Sequence, residues 1–348
     1  MRILIYTDVH LSEYSSIIRE KGKRLSNIVR SVNWAEQLAS IKNCQEIICL
    51  GDFFDRAELK PDELTALSRI TWNKNIPHTF LVGNHEMQAQ TADSSSAHVL
   101  NLIDCAGVVG DICSWECDEN TSIIYLPYTL ESERKTLEEY IDDLYHINEP
   151  DSVLPRKNII VFSHNDLQIQ YGEYASTIGF DLKDIENNCS LFINGHLHNR
   201  TVNGKVINVG NLTGQNFNED ATKYSHGCMI LDTDTLEYEF VENPFAFNFY
   251  KLDYTQSIPF SLTNAFKNNA VISVKVKEKD VADVREMLDT HDLVYAYRIT
   301  TVRDLDKIET HEIDLHTTDH CKQFADYIQS VIGNDSIVRE ELSEVLAL

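Results

Sequence analysis

Two histidines one residue apart, His196 and His198, close the stretch FINGHLHNR at residues 192–200, directly after an apolar run and an Asn-Gly pair. The same texture recurs four times: IYTDVH ends on Asp8 and His10, CLGDFFD on Asp52 and Asp55, LVGNHE on Asn84 and His85, and VFSHND on His164. Carboxylates, imidazoles and a side-chain carbonyl are the donors that hold divalent cations. In an extended segment residues i and i+2 share a face with Cα atoms roughly 6.5–7 Å apart, so His196 and His198, like Asp8 and His10, are spaced to serve neighbouring ions. Two-metal hydrolytic sites hold their ions about 3.5–4 Å apart across a carboxylate and an activated water, and Asp52 is the natural bridge. Taken singly, each piece has a plainer reading: Asp-x-His as turn chemistry, His164 as a core histidine, Asn84 beside Gly83 as a turn residue. Those readings leave unexplained why five apolar runs all end in metal-ligating side chains.

Such groups meet in one crevice if each run is a strand of an α/β sheet, where functional side chains gather at the carboxyl ends. RILIYTD, EIICLGD, HTFLVGN, NIIVFSHN, SLFINGH and KVINVGN read as strands, and GCMILDTDTLEYEFVEN as a hairpin. Residues 24–43 read as a helix, Pro61 opens another in KPDELTALSRITWN, and 131–145 reads as a charged surface helix. Residues 1–245 are therefore expected to form an α/β domain with a sheet core. Near Pro244 the texture changes: AVISVKVKE, DVADVREMLD and LVYAYRITTV predict a small β-α-β domain over 246–305. Residues 306–348 end in two amphipathic helical pieces around a GNDS turn.

The composition narrows the function classes. A chain of 348 residues, 43% hydrophobic and 24% charged, is an ordinary soluble globular protein of one large and one smaller domain. No apolar run nears the ~20 residues of a spanning helix, and MRILIYTDVH lacks the features of a signal peptide, so a cytoplasmic chain is expected. Eight cysteines (44, 49, 105, 113, 117, 189, 228, 321) show no CxxC spacing and read as reduced thiols. A net charge of −25 repels DNA over the surface as a whole. Any nucleic-acid role must rest on a local basic groove, on metal ions or on a partner. REKGKRLSNIVR, 19–30, sets Arg19, Lys21, Lys23, Arg24 and Arg30 against Glu20, and reads either as a phosphate-contacting edge or as a solvated helix start. The Asn- and Gly-rich loop 208–220 follows the GHLH segment and is expected beside the metals. The chain has no G-x-x-x-x-G-K-[ST] loop, so it does not itself hydrolyse ATP in that manner.

The order D-x-H, G-D-x-x-D, G-N-H-E, H, G-H-x-H across about 190 residues resembles the calcineurin-like metallophosphoesterase superfamily. Within it the chain looks most like the SbcD-type DNA repair and recombination nuclease subunit and its tailed-phage counterparts. The opening RILIYTDVHL, GDFFDR, YLPY at 125–128 and the small domain after the core carry that likeness. The resemblance implies a two-sheet sandwich flanked by helices, a β-α-β DNA-capping domain at 246–305 and a C-terminal helical segment. It implies that Asp8, His10, Asp52 and His198 hold one ion, and Asp52, Asn84, His164 and His196 the other. Two Mn²⁺ are implied, with Mg²⁺ a weaker second. His85 would donate a proton or hydrogen bond to the leaving oxygen, and Asp55 would support. Glu86 stands where relatives often carry Asp. The implied partners are DNA, a second copy of the chain and an SMC-like coiled-coil ATPase gripped by Phe324, Tyr327, Ile328 and Val331. The short chain and reduced C-terminal region look phage-like, which would place it in a host cytoplasm. The competing reading is a stand-alone nucleotide phosphodiesterase or phosphatase. A metal-free scaffold is disfavoured because every expected ligand is present.

Overall fold

The apolar runs become strands because successive residues have two different cores to enter. In the computed structural model, which describes residues 1–13, 18, 22–148, 158–168, 170–171, 174–255 and 266–302, β1 (Arg2–Tyr6) sends Ile3 and Ile5 into one cluster and Leu4 and Tyr6 into another. Helix α1 (Lys23–Ile41) covers the second cluster with Leu25, Ile28, Val32 and Ala35. Then come β2 (Glu46–Cys49), α2 (Pro61–Leu67) and β3 (His78–Leu81). A short pair, β4 (Met87–Gln88) and β5 (Thr91–Ser95), precedes β6 (Ala106–Val109), β7 (Cys113–Asp118) and β8 (Thr121–Leu126).

Helix α3 (Leu137–Asn148) begins six residues later than the sequence pattern predicts. Thr136 and Glu139 form a reciprocal cap there: Glu139 N donates to Thr136 Oγ1 at 3.1 Å, and Thr136 N to Glu139 Oε2 at 2.9 Å. Nor is this a wholly exposed helix, because Leu137, Tyr140, Ile141 and Leu144 are buried at helical spacing. Beyond it lie β9 (Asn158–Ser163), the short pair β10 (Gln170–Tyr171) and β11 (Tyr174–Ala175), and α4 (Leu182–Asn188). There follow β12 (Leu191–Asn194), β13 (Thr201–Asn203), β14 (Val206–Asn208) and the hairpin of β15 (Gly227–Asp232) and β16 (Tyr238–Glu242). The last described elements are β17 (Asn248–Tyr254), β18 (Ala270–Lys277), α5 (Val281–Asp289) and β19 (Val294–Val302).

Two six-stranded sheets result, ordered β16-β15-β1-β2-β3-β6 and β13-β14-β12-β9-β8-β7. The central strands are parallel in both, and antiparallel strands lie at the edges: β15 and β16 in the first, β13 and β7 in the second. Ile3, Ile5, Ile48, Phe162, Ile193 and Met229 fill the core between the sheets, while α1 and α2 cover one outer face and α3 and α4 the other. Strands buried on both faces read as continuous apolar runs rather than alternations, which is why those runs were legible.

A third sheet, β17-β18-β19, is parallel throughout and packs Tyr250, Leu252, Val274 and Val276 with Val284 and Leu288 of α5. The sequence pattern predicts only its last two strands. Its first strand, β17, follows Asn243 and Pro244, whose turn-like chemistry hides the burial of Tyr250 and Tyr254. The short strands between 87 and 118 are likewise absent from that reading, being too brief or too polar to alternate. The seven described cysteines are free thiols. No described helix is long and apolar enough to cross a membrane.

Three asparagines join the ends of β9, β12 and β14. Asn194 is fully buried; its Oδ1 accepts from Asn165 N at 3.1 Å, and its Nδ2 donates to Asn165 O at 2.9 Å, Gly195 O at 2.7 Å and Asn208 Oδ1 at 3.3 Å. Asn165 in turn donates to Pro127 O at 2.9 Å and accepts from Thr129 N at 2.9 Å. Asn208 reaches Asn199 O at 2.9 Å. Asn194→Ala strips the centre of this network and leaves buried groups unpaired, so it is expected to destabilise the fold by about 3 kcal/mol. A lower urea midpoint at unchanged slope checks this.

Candidate metal centre

The five strand ends meet, but not through extended backbone. Asp8, His10, Asp52 and His196 have φ of 51°, 45°, 50° and 66°, in the left-handed region that non-glycine residues seldom occupy. This corrects the extended i, i+2 geometry expected from the sequence. The segment after β1 turns along the segment after β2, with Asp8 N donating to Gly51 O at 3.2 Å, His10 N to Asp52 O at 3.0 Å and Leu11 N to Phe53 O at 2.8 Å. Gly51, at φ 110°, also lets His164 come close, for a Cβ there would fall 2.5 Å from its Nδ1.

Three overlapping sets of ligand atoms meet here; one is His10, Asp52 and His85, and the other two face each other. In one of these two, donors from Asp8, His10 and His198 lie within 4.8 Å of one another. His10 Nε2 and His198 Nε2 stand 3.8 and 3.9 Å from Asp8 Oδ1. In the other, Asp52, His164 and His196 lie within the same limit. Asn84 Oδ1 joins them, 3.3 Å from His164 Nε2 and 3.0 Å from His196 Nδ1. Asp52 Oδ2 stands between the groups, 3.8 Å from His10 Nε2 and 3.1 Å from His164 Nε2. With metal–ligand bonds of about 2.1 Å, two donors on one ion lie roughly 3–4 Å apart, the spacing seen here. Asp8 Oδ1 and His10 Nε2, the atoms turned toward the centre, are buried without a hydrogen-bond partner. Buried orphans of this kind cost about 1–3 kcal/mol each, and divalent cations would satisfy them.

Groups behind the ligands aim them. His164 Nδ1–H donates to Leu50 O at 2.7 Å, which frees Nε2. Asp55 Oδ1 lies 3.3 Å from His10 Nδ1, Asp166 Oδ1 2.9 Å from His196 Nε2, and Glu219 Oε1 2.7 Å from His198 Nδ1. Outer partners of this type set the tautomer and direction of a ligating imidazole. Glu86 ties two motif loops together by accepting from Phe54 N at 3.0 Å and Gly83 N at 2.9 Å. Sequence reasoning missed Asp166 and Glu219. Asp166 was findable two residues after His164, whereas Glu219, 21 residues beyond His198, leaves no spacing signal.

His85 sits at the mouth with 45% of its side chain exposed. Its backbone N donates to Asp52 Oδ1 at 2.9 Å, and its ring stands edge-on to His10 at 4.7 Å. Tyr128 of the YLPY stretch lies 5.8 Å from the His196 ring. Lys23 is exposed on the first turn of α1, whereas Arg24 is only 3% exposed, with Nε and Nη1 unpartnered among the described residues. Arg19, Lys21, Phe324, Tyr327, Ile328 and Val331 lie outside the described residues.

The profile of the calcineurin-like phosphoesterases matches residues 1–200. The chain belongs to that family. It is 27% identical over 254 residues to a protein of Escherichia phage T5 named "Probable exonuclease subunit 1", covering 70% of this chain and 69% of the relative. A dimetal phosphatase from Danio rerio aligns at 13% identity and a TM-score of 0.38, over 66% of this chain and 91% of that one. This calcineurin-like phosphoesterase is a metal-dependent enzyme whose candidate ligands cluster at one end of the sandwich.

Electrostatics in the metal-free state follow from that clustering. Burial opposes ionisation of Asp8, yet the nearby His10 ring and the charges of His164 and His198 carry its carboxyl down to about 2. Asp52 is held well below the usual range, with His164 outweighing burial. Burial would lower both histidines, but Asp55 and Asp8 push His10 up to about 10 and Asp52 pushes His164 up to about 9. The folded chain thus keeps protons that the unfolded chain releases near pH 6.5. Their contribution to stability is full below that pH and lost as pH rises through the folded values. Metal-free protein is expected to lose stability between about pH 7 and pH 10, and a bound divalent metal, which displaces those protons, to remove that loss. Urea titrations across this range, with metal and with chelator, check it.

Proposed function

We propose that this phosphoesterase is a Mn²⁺-dependent DNA exonuclease and endonuclease subunit that hydrolyses phosphodiester bonds at a two-ion centre. The observation that carries phosphoester hydrolysis is Asp52, standing between two ligand groups that each fit a divalent cation. The likeness to a phage protein named as an exonuclease subunit, over 70% of the chain, supports a polynucleotide substrate, which this reading takes to be DNA. Asp8, His10, Asp52 and His198 would hold one ion, and Asp52, Asn84, His164 and His196 the other. Four imidazoles among seven ligands favour a transition metal such as Mn²⁺ over Mg²⁺, which prefers oxygen. When bound, the ions supply an activated water and neutralise charge on the phosphoryl oxygens.

The remaining chemistry belongs to the chain. His85, exposed at the mouth and beside Asp55, gives a proton or hydrogen bond to the leaving oxygen. Lys23, with Arg19 and Lys21, would offer a local positive edge on a chain whose net charge of −25 otherwise repels DNA, whereas Arg24, only 3% exposed, is withdrawn from it. The subunit name of the phage relative supports work within an assembly. In this reading residues 246–305 cap the DNA, 306–348 grip an SMC-like ATPase, two copies of the chain pair, and the protein acts in recombination or repair in a host cytoplasm.

The net charge favours a second reading, a stand-alone nucleotide phosphodiesterase or phosphatase. End-labelled linear DNA and a small chromogenic phosphodiester, each with Mn²⁺, Mg²⁺ or chelator, separate the two. Manganese-dependent DNA degradation lost in Asp52→Asn supports the nuclease. Hydrolysis of the small diester alone, unchanged when a coiled-coil ATPase is added, supports the second reading. His85→Gln is expected to lower kcat about 100-fold or more while metal binding is kept, as steady-state kinetics beside a manganese titration would record.

A further inference from the structure

Each histidine of the GHLH segment is steered by its own acid, and the two acids hang on different parts of the fold. Asp166, which holds His196, follows β9 and lies 3.7 Å from Arg134 Nη2. Glu219, which holds His198, lies in a loop that none of the five motifs includes. It is 1% exposed. Besides His198 Nδ1, its Oε1 accepts from Asn216 Nδ2 at 3.1 Å, and its Oε2 from Gln215 N at 2.7 Å. With Nδ1 engaged, His198 has only Nε2 to present toward Asp8. The same loop touches a second ligand segment, because Gln215 Nε2 donates to Asp8 O at 3.1 Å.

The other side of this loop is fastened to the third sheet. Gly214 N donates to Phe247 O at 3.1 Å, Phe247 N to Thr213 Oγ1 at 2.9 Å, and Ala221 N to Phe249 O at 2.8 Å. Phe217 packs edge-on against Phe249 at 5.1 Å, with the Arg298 guanidinium of β19 4.7 Å over its ring. The loop therefore has two sets of attachments, one at the ligands and one at β17 and β19.

We infer that Glu219 is a positioning residue for the Asp8–His10–His198 half of the metal centre, holding His198 from a loop suspended on β17. Glu219 sets the affinity of that half without setting that of the half made by Asn84, His164 and His196, which Asp166 serves. Without the carboxylate, the His198 ring is free to turn and to take the tautomer that puts hydrogen on Nε2, which cannot ligate. The inference rests on the two-ion reading proposed above.

The test is titration of the full-length metal-free chain with Mn²⁺ alone, followed by calorimetry and by the paramagnetic signal of free manganese. Wild type should fill two sites. Glu219→Gln, which keeps the shape and one acceptor, should weaken one step about 10-fold, and Glu219→Ala up to about 100-fold, while the other step stays within about twofold. Asp166→Asn should weaken the step that Glu219→Gln spares. Two steps of wild-type affinity in Glu219→Gln, or an equal loss in both, would overturn the inference; if Glu219→Ala fails to fold, Glu219→Gln alone decides. A wild-type chain that binds no manganese would instead sink the two-ion reading itself.

Discussion

Two carboxylates buried at one end of the sandwich, Asp8 at 0% and Asp52 at 2% exposure, are the constraint on which the rest depends. A buried charge is tolerable only when paired and hydrogen-bonded. The chain provides part of that: Thr7 Oγ1 donates to Asp8 Oδ2, His85 N donates to Asp52 Oδ1, and protonated histidines surround both. It leaves Asp8 Oδ1 without a partner. The compensation is complete only with cations in place, so the arrangement that makes the metal-free protein proton-laden also makes it a receptor for divalent metal.

The two ligand groups draw on both sheets. The first sheet delivers Asp8, His10, Asp52 and Asn84 from the ends of β1, β2 and β3, and the second delivers His164, His196 and His198 from β9 and β12. The distance between them is set by the side chains packed between the sheets, so the centre is a property of the sandwich and of neither sheet alone. Glu86 locks the loops on one side, and Asn165, Asn194 and Asn208 lock those on the other. These groups touch no substrate, yet they let four ligand residues persist in left-handed backbone that would otherwise relax.

The third sheet reaches the centre through the loop from Thr213 to Ala221. That loop carries an acid to the metal ligands and an aromatic ring to β17 and β19. A segment appended after the phosphoesterase core is thereby joined physically to the chemistry it follows in the chain. The acidic surface makes such local connections matter, because attraction for phosphate must arise at the centre and its immediate edges.

The chemistry and the residues that carry it are legible in the local pattern of the chain. Apolar runs buried on both faces announce strands without any tertiary information, and the donors at their ends announce a metal site, because side-chain type and proximity to a strand end are local properties. Tertiary packing decided the rest. Whether Asp8 and His10 lie on extended or turned backbone depends on bonds to Gly51 and Asp52 more than forty residues away. The start of α3 depends on a cap between Thr136 and Glu139 and on the face that α3 buries, and β17 on burial that Asn243 and Pro244 disguise. Glu219 and the asparagine network could not be read from spacing, for they act across loops whose approach exists only after the two sheets have stacked. Arg24 shows the same limit: its charge was legible in the sequence, but its burial was a decision of the fold.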